Sequence, residues 1–206
     1  NEILKNELDL FINNSDAHNF FISGDKGLGK TFLLNCVLNH KKFNEQKCLY
    51  IDIKNLSNNV QVFNEIDSFS VICIDNIHCS SKDIELELFN LVNKAFTSKI
   101  KLLISSQLHI TQLIFFPDLL SRIKQMSCFS IEQISDDEVD DAIDFMNTKL
   151  KLFFSKELIE DISKIVRRDI SSIKDLFVEI EQFLYSEKKR PSKRTIMGFL
   201  KKRINQ

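Results

Sequence analysis

Three of the four glycines in this 206-residue chain fall inside eight residues, Gly24-Asp25-Lys26-Gly27-Leu28-Gly29-Lys30-Thr31. The spacing is G-x-x-x-x-G-K-[ST]. Backbone N–H groups can turn inward and close on phosphate oxygens only where no Cβ intervenes. Lys30 is spaced to reach the β- and γ-phosphates, and Thr31 offers a hydroxyl to Mg²⁺. The apolar run Phe20-Phe21-Ile22 enters the loop, and a helical pattern leaves it. A helix starting at the loop points its positive end at the anion. The pattern in this context reads as a phosphate-binding P-loop for a purine nucleotide.

A P-loop requires a partner strand ending in an acid. Val71-Ile72-Cys73-Ile74-Asp75 fits, with Asp75 placed to hold a Mg²⁺ water; a helix N-cap aspartate is the competing reading. The following residue is Asn76. An amide cannot accept a proton, so slow intrinsic hydrolysis is expected.

The first half alternates strand and helix patterns. Residues 20–22, 48–53, 70–75, 101–105 and 129–131 read as strands. Residues 30–43 read as one helix with Phe32, Leu33, Cys36, Val37 and Leu38 on its apolar side. Residues 84–96 read as another, with Leu86, Leu88, Phe89, Val92 and Phe96 inward. This alternation predicts an α/β fold, a parallel sheet flanked by helices. Beyond Ser135 only helices are expected. Ser135 followed by Glu138 forms a capping box, Ser155 starts a second helix, Asp169 or Ser171 caps a third, and Pro191-Ser192 opens a fourth. The expected organisation is an α/β nucleotide lobe over residues 1–133 and a helical lid over 134–206.

Composition excludes some classes. Lys+Arg (28) and Asp+Glu (29) nearly cancel, so overall charge predicts neither nucleic-acid nor membrane affinity. The apolar stretches are shorter than the roughly 20 residues a membrane span needs, and no signal peptide is visible. Five cysteines without a C-x-x-C pair, mostly inside apolar runs, suggest buried, reduced thiols in a cytoplasmic protein. Cys and His are too sparse for a zinc site. The chain starts at Asn1 without Met, which leaves room for a preceding segment. The tail is basic: Lys188, Lys189, Arg190, Lys193, Arg194, Lys201, Lys202 and Arg203 face one acid, Glu187. It reads either as a phosphate-contacting patch or as a solvated helix with cations toward its end.

In order along the chain come the P-loop, Ile74-Asp75-Asn76-Ile77, Leu102-Leu103-Ile104-Ser105-Ser106, and Pro117-Asp118-Leu119-Leu120-Ser121-Arg122. Together they resemble the AAA+ ATPase domain of the DnaA/Hda family, with the layout closer to the Hda side. The resemblance covers essentially the whole chain. It implies a five-stranded P-loop AAA+ core followed by a small all-helical lid. It implies Gln107 as sensor 1 at the end of the fourth strand, where a simple strand-end turn is the alternative. It implies Arg122 as an arginine finger acting in trans, against a surface or capping arginine. Lys174 takes the sensor-2 position, where the family carries arginine; lysine keeps the charge and loses the planar fork. Ile3 and Leu4 match the segment over the adenine base, or else form an apolar first helix of the core.

The implied ligands are ATP or ADP with Mg²⁺. The implied partners are DnaA and the DNA polymerase sliding clamp, with self-association compatible and no membrane. No clamp-binding peptide is recognisable from Asn1 onward. The leading expectation is a regulator that promotes hydrolysis of DnaA-bound ATP. The alternative is a DnaA-type initiator core or helicase loader that binds DNA. A metabolic P-loop kinase fits the all-helical lid and the Ser-Arg finger poorly.

Overall fold

The computed structural model describes residues 2–14, 19–56, 63, 66–98 and 100–204. The chain divides into two compact units, Asn1–Glu132 and Gln133–Gln206.

The first unit is built on five strands: β1 (Phe20–Ser23), β2 (Cys48–Asp52), β3 (Val71–Asp75), β4 (Lys101–Ser106) and β5 (Ser127–Ser130). They form one sheet in the order β2-β3-β4-β1-β5, with every pairing parallel. The expected five-stranded parallel sheet is therefore present. Strands β1, β3 and β4 are buried along their whole length, as central parallel strands covered on both faces must be.

Side-chain alternation divides the core in two. Phe21, Ile51, Ile72, Ile74, Leu102 and Ile104 point to one face. There they pack against α3 (Lys82–Thr97) and α4 (Pro117–Lys124). Phe20, Ile22, Val71, Cys73 and Leu103 point to the other, onto α1 (Glu2–Asn13) and α2 (Lys30–Leu38). Adjacent residues in each strand thus serve opposite layers, which is the period-2 geometry of a pleated strand.

The helix faces differ from the sequence expectation. The helix expected over residues 30–43 ends at Leu38, and a 3-10 turn, Lys41–Phe43, follows. Its buried stripe is Lys30, Leu34 and Val37, spaced four and three residues apart. Phe32 is 65% exposed. In α3 the buried residues are Ile84, Leu88, Leu91, Val92 and Ala95, while Leu86 and Phe96 face outward. In both helices the apolar residues outnumber the positions one face can bury, so composition could not choose the stripe. Of the thiols expected to be buried, only Cys73 is; Cys48 is half-buried and Cys36, Cys79 and Cys128 are exposed. Cys128 lies on the sheet edge in β5, where apolar neighbours in sequence do not guarantee cover.

Lys101 ties the start of β4 to the end of α1. Its ammonium donates to the carbonyls of Phe11 and, at 2.6 Å, Asn14, and it stands 5.3 and 5.6 Å from the ring centres of Phe11 and Phe43. A cation at a helix C-terminus meets the carbonyls left without intrahelical donors.

The second unit is all helical: α5 (Asp136–Lys149), α6 (Lys156–Ser163), α7 (Ile170–Ser186) and α8 (Lys193–Ile204). The Ser135 N–H donates to Glu138 at 2.7 Å, and the expected capping box forms at this helix start. Of the two candidate caps for α7, Asp169 takes the role, accepting from the Ser172 N–H at 2.8 Å. The unit has its own core, with Val139, Ile143, Leu158, Ile162, Leu176, Phe177, Ile180 and Ile196 among its members. No helix of the described residues is long and apolar enough to cross a membrane. Phe177 is fully enclosed in that core. We expect Phe177→Ala to destabilise the protein by about 3–5 kcal/mol, read as a lower urea midpoint.

Candidate nucleotide site

In an open parallel sheet, ligands bind beyond the carboxyl ends of the strands. Three chemistry-bearing segments meet there: the loop after β1, Asp75 at the end of β3, and Ser105-Ser106 at the end of β4.

The glycine loop holds its shape through positive φ angles: 153° at Gly24, 92° at Gly27 and 88° at Gly29. A Cβ on Gly24 would stand 2.8 Å from the Ile131 carbonyl oxygen, closer than any side chain could tolerate. Gly29, at φ 88° and ψ 12°, caps α2 in the left-handed region, a conformation that disfavours any residue with a Cβ. The helix N-terminus therefore opens directly onto the loop.

Lys30 is 7% exposed. Its ammonium donates to the carbonyls of Gly24 at 2.5 Å and Asp25 at 2.8 Å, lying inside the curve of the loop. Burial lowers its pKa, and the carboxylates of Asp75 and Asp25 oppose that effect.

Asp75 is 1% exposed and is the node of the site. Its Oδ2 accepts from the Thr31 hydroxyl at 2.5 Å and the Tyr50 hydroxyl at 2.9 Å. Its Oδ1 accepts from the Asn76 N–H at 3.0 Å and from the Ser105 hydroxyl. Thr31 and Asp75, assigned to Mg²⁺ from sequence, are thus in direct contact. The N-cap of the following 3-10 turn is Asn76 and not Asp75.

Asn76 sits in the left-handed region at φ 58° and ψ 40°, which asparagine tolerates better than most residues. Its side-chain amide donates to Asp52 Oδ1 at 2.8 Å. Asp52 is the residue of β2 in register with Asp75. It also accepts from the Lys54 N–H at 3.1 Å and the Asn55 amide at 2.6 Å. The position next to the buried acid therefore carries a fixed hydrogen-bond bridge between strand ends.

The remaining sequence-assigned residues fall in several places. Ser105, grouped with Ser106 and Gln107 from sequence, is the member that touches Asp75. Gln107 is exposed, and its N–H donates to His78 Nδ1 at 3.1 Å. Arg122 is half-buried in the last turn of α4; its guanidinium makes a long 3.5 Å contact with Gln125. No described hydrogen bond joins it to the Asp75 network. Lys174 is exposed on α7, in the second unit. Leu4 is buried in the α1 face of the core, whereas Ile3 is 74% exposed. Of that pair only Ile3 presents its apolar surface outward. Asp25 and Lys26 are exposed at the loop tip, and Gly27 and Leu28 are half-buried.

Sequence reasoning missed Tyr50, Asp52 and His78. A signal for the first two was present: in a strand of alternating sides, Tyr50 and Asp52 share a face, with Asp52 level with Asp75 and Tyr50 two residues before it, level with Cys73. Nothing in the sequence marked His78, because its place follows from the 3-10 turn after Asn76 (Ile77–Cys79).

His78 reports on the site's electrostatics. Its pKa is lowered first by burial, then by the positive charges of Lys30 and Lys54, with Asp75 opposing. Its Nδ1 accepts a hydrogen bond, so the neutral ring carries its proton on Nε2. The folded pKa lies below the unfolded one, about 6.5. The stabilising contribution is therefore complete above about 6.5 and is lost as pH falls through the lowered folded value. NMR titration of the ring is expected to give a midpoint below 6.5, and Lys30→Met is expected to raise it.

No family model matches the chain. An uncharacterised protein of Haemophilus influenzae is 29% identical over 124 residues, covering 58% of this chain and 54% of that protein. The chain thus spans about half the length of this curated relative. Among solved structures, domain III of the Thermotoga maritima replication initiation protein DnaA superposes with a TM-score of 0.85 at 17% identity, over 98% of this chain and 91% of that one. DnaA bound to AMPPCP and single-stranded DNA gives 0.77 at 18% identity, over 91% and 64%. The Thermotoga maritima RuvB Holliday junction branch migration motor gives 0.74 at 18% identity, over 97% and 68%. The strand order, the glycine loop after β1 and the helical unit after β5 agree with these likenesses: the chain has the AAA+ fold of DnaA domain III.

Proposed function

We propose that this protein is a nucleotide-dependent regulator of bacterial replication initiation, of the Hda type. It binds ATP or ADP with Mg²⁺ at the P-loop and promotes hydrolysis of ATP held by DnaA, in company with the DNA-loaded sliding clamp. The observation that carries the reading is the Asn76–Asp52 bridge: an amide, locked to a neighbouring strand, stands beside the Mg²⁺-site acid.

The residues present suit Mg²⁺. Thr31 and Asp75 offer hard oxygen donors 2.5 Å apart next to the phosphate loop. Among the described residues no group of three or more His, Cys, Asp or Glu could hold a metal alone. Mg²⁺ commonly takes one or two protein oxygens and completes its shell with phosphates and water. When bound, it would neutralise charge on the β- and γ-phosphate oxygens.

The chain's own groups supply the rest. Loop N–H groups and the α2 N-terminus hold the phosphates, and Lys30 exchanges its loop carbonyls for phosphate oxygens. Tyr50 and Ser105 fix the Asp75 carboxylate from both oxygens. Ile3, with Leu4 anchoring it in the core, covers the adenine base. Gln107 serves as sensor 1, its backbone steadied on His78, and Lys174 on α7 keeps the positive charge of a sensor-2 residue. Asn76 cannot remove a proton from the attacking water, so the bound nucleotide sets conformation and turns over slowly. The half-buried Arg122 guanidinium, with one weak contact, is available to stabilise charge on a partner's nucleotide.

A DnaA-type initiator core or helicase loader is the second reading. It is favoured by the superposition on DnaA bound to AMPPCP and single-stranded DNA.

Hydrolysis of DnaA-bound ATP, measured with and without loaded clamp, separates the readings. The regulator accelerates it, and Arg122→Ala loses the acceleration, by about 10³-fold, while nucleotide affinity stays unchanged. Equal stimulation by Arg122→Ala would sink the trans-acting role. For the chain alone, Asn76→Glu is expected to raise ATP turnover roughly tenfold or more by restoring a base. Wild-type hydrolysis at several turnovers per second (about 17 kcal/mol of barrier) would contradict the switch reading.

A further inference from the structure

Gly198 lies inside α8, where glycine costs about 1 kcal/mol relative to alanine. Neither packing nor backbone geometry asks for it. A Cβ there would meet nothing within 4 Å, and its φ is not among the positive ones. The open space is a cavity of about 280 Å³ between α7 and α8. Its wall includes Phe183 and Phe199, half-buried rings stacked at 4.8 Å and 30°. Its rim carries Lys189, Arg194 and Lys202.

The cations of α8 divide into two sets. Lys193 and Arg203 are held by Asp161 at 2.8 Å and Glu179 at 2.6 Å. Arg194, Lys201 and Lys202, by contrast, form no ion pair with a described residue. Arg194 and Lys202 occupy the same face as Gly198, one turn before and one turn after it, about 6 Å away along the axis in each direction. Lys189 stands 5.5 Å over the Phe183 ring and 3.0 Å from Glu187, the one acid nearby. The cavity thus combines excess positive charge, the accessible part of two half-buried aromatic rings and a gap kept clear by a glycine that weakens its own helix.

We propose that this cavity is a binding site for single-stranded nucleic acid, with Arg194 and Lys202 on backbone phosphates and one unstacked base against Phe183 and Phe199. Aromatic faces beside a cationic track are the recurring means of holding a single strand. A duplex would offer the phosphates but no free base, and an acidic peptide would have no use for the ring pair. The site lies wholly in the helical unit and shares no residue with the P-loop.

The test is fluorescence anisotropy of a labelled oligothymidylate with the full chain across a salt series. Binding is expected to weaken steeply with salt. Arg194→Ala/Lys202→Ala should bind at least about tenfold more weakly, with the salt slope reduced by roughly 1.4, two phosphate contacts. Gly198→Leu fills the cavity and suits the helix better. It should also bind at least about tenfold more weakly, with a thermal midpoint equal to or above wild type. Lys5→Ala/Lys156→Ala, the same change in net charge on exposed helix positions elsewhere, should leave binding unchanged, as should Lys30→Ala in the P-loop. The proposal is overturned if Gly198→Leu folds and binds like wild type, if the Lys5/Lys156 variant loses as much as the Arg194/Lys202 variant, or if Lys30→Ala abolishes binding. It is equally overturned if duplex DNA or polyglutamate competes as well as the unlabelled oligothymidylate.

Discussion

A carboxylate taken out of water costs several kcal/mol unless its lone pairs find donors. Asp75, at the end of an entirely buried strand, finds four: the hydroxyls of Thr31, Tyr50 and Ser105 and the N–H of Asn76. These come from α2, β2, β4 and the turn after β3. The strand ends can converge only in the observed sheet order, because β3 must lie between β2 and β4 for Tyr50 and Ser105 to reach the same carboxylate. The apolar core brings the strands together; the buried acid makes their register chemically specific. Leaving any one donor out would strand part of a buried charge.

Under the proposed function the same node joins fold to switching. Thr31 follows Lys30 at the start of the helix that the loop opens into, so a change at the phosphates is felt at the Asp75 carboxylate one bond network away. Beyond Asp75, the Asn76 amide carries the connection to Asp52 and the end of β2. A base in that position would be free to address water; an amide committed to a neighbouring carboxylate is not. This arrangement is what supports the proposal that a nucleotide is held more than consumed.

The helical unit obeys different physics. Its core is aliphatic with Phe154 and Phe177, and its helix starts are set by local caps. The departure from this local consistency is the α7–α8 cavity, where a helix glycine without a packing role lies among cations. Local consistency elsewhere makes this departure informative, because a residue that weakens its element without a packing reason points to a demand from outside the fold.

Much is legible in the order of the amino acids alone. The glycine loop, the buried strands, the acid at the end of β3 and the helices of the second unit follow from short-range rules: φ freedom, period-2 and period-3.6 patterns, and capping chemistry. Those rules act within a few residues, so the linear chain carries them. It could not say which stripe of α2 or α3 faces the sheet, since both helices hold more apolar residues than one face can bury, and Phe32 and Leu86 were left outside. Nor could it give Asp75 its partners. Tyr50, Ser105 and Asp52 lie 25, 30 and 23 residues from it along the chain and become neighbours only through parallel pairing. The sequence by itself determined that a phosphate loop and an acid would be built on a parallel sheet. Tertiary structure alone decided what surrounds that acid, because the contacts that satisfy a buried charge are made between strand ends that chain order does not place side by side.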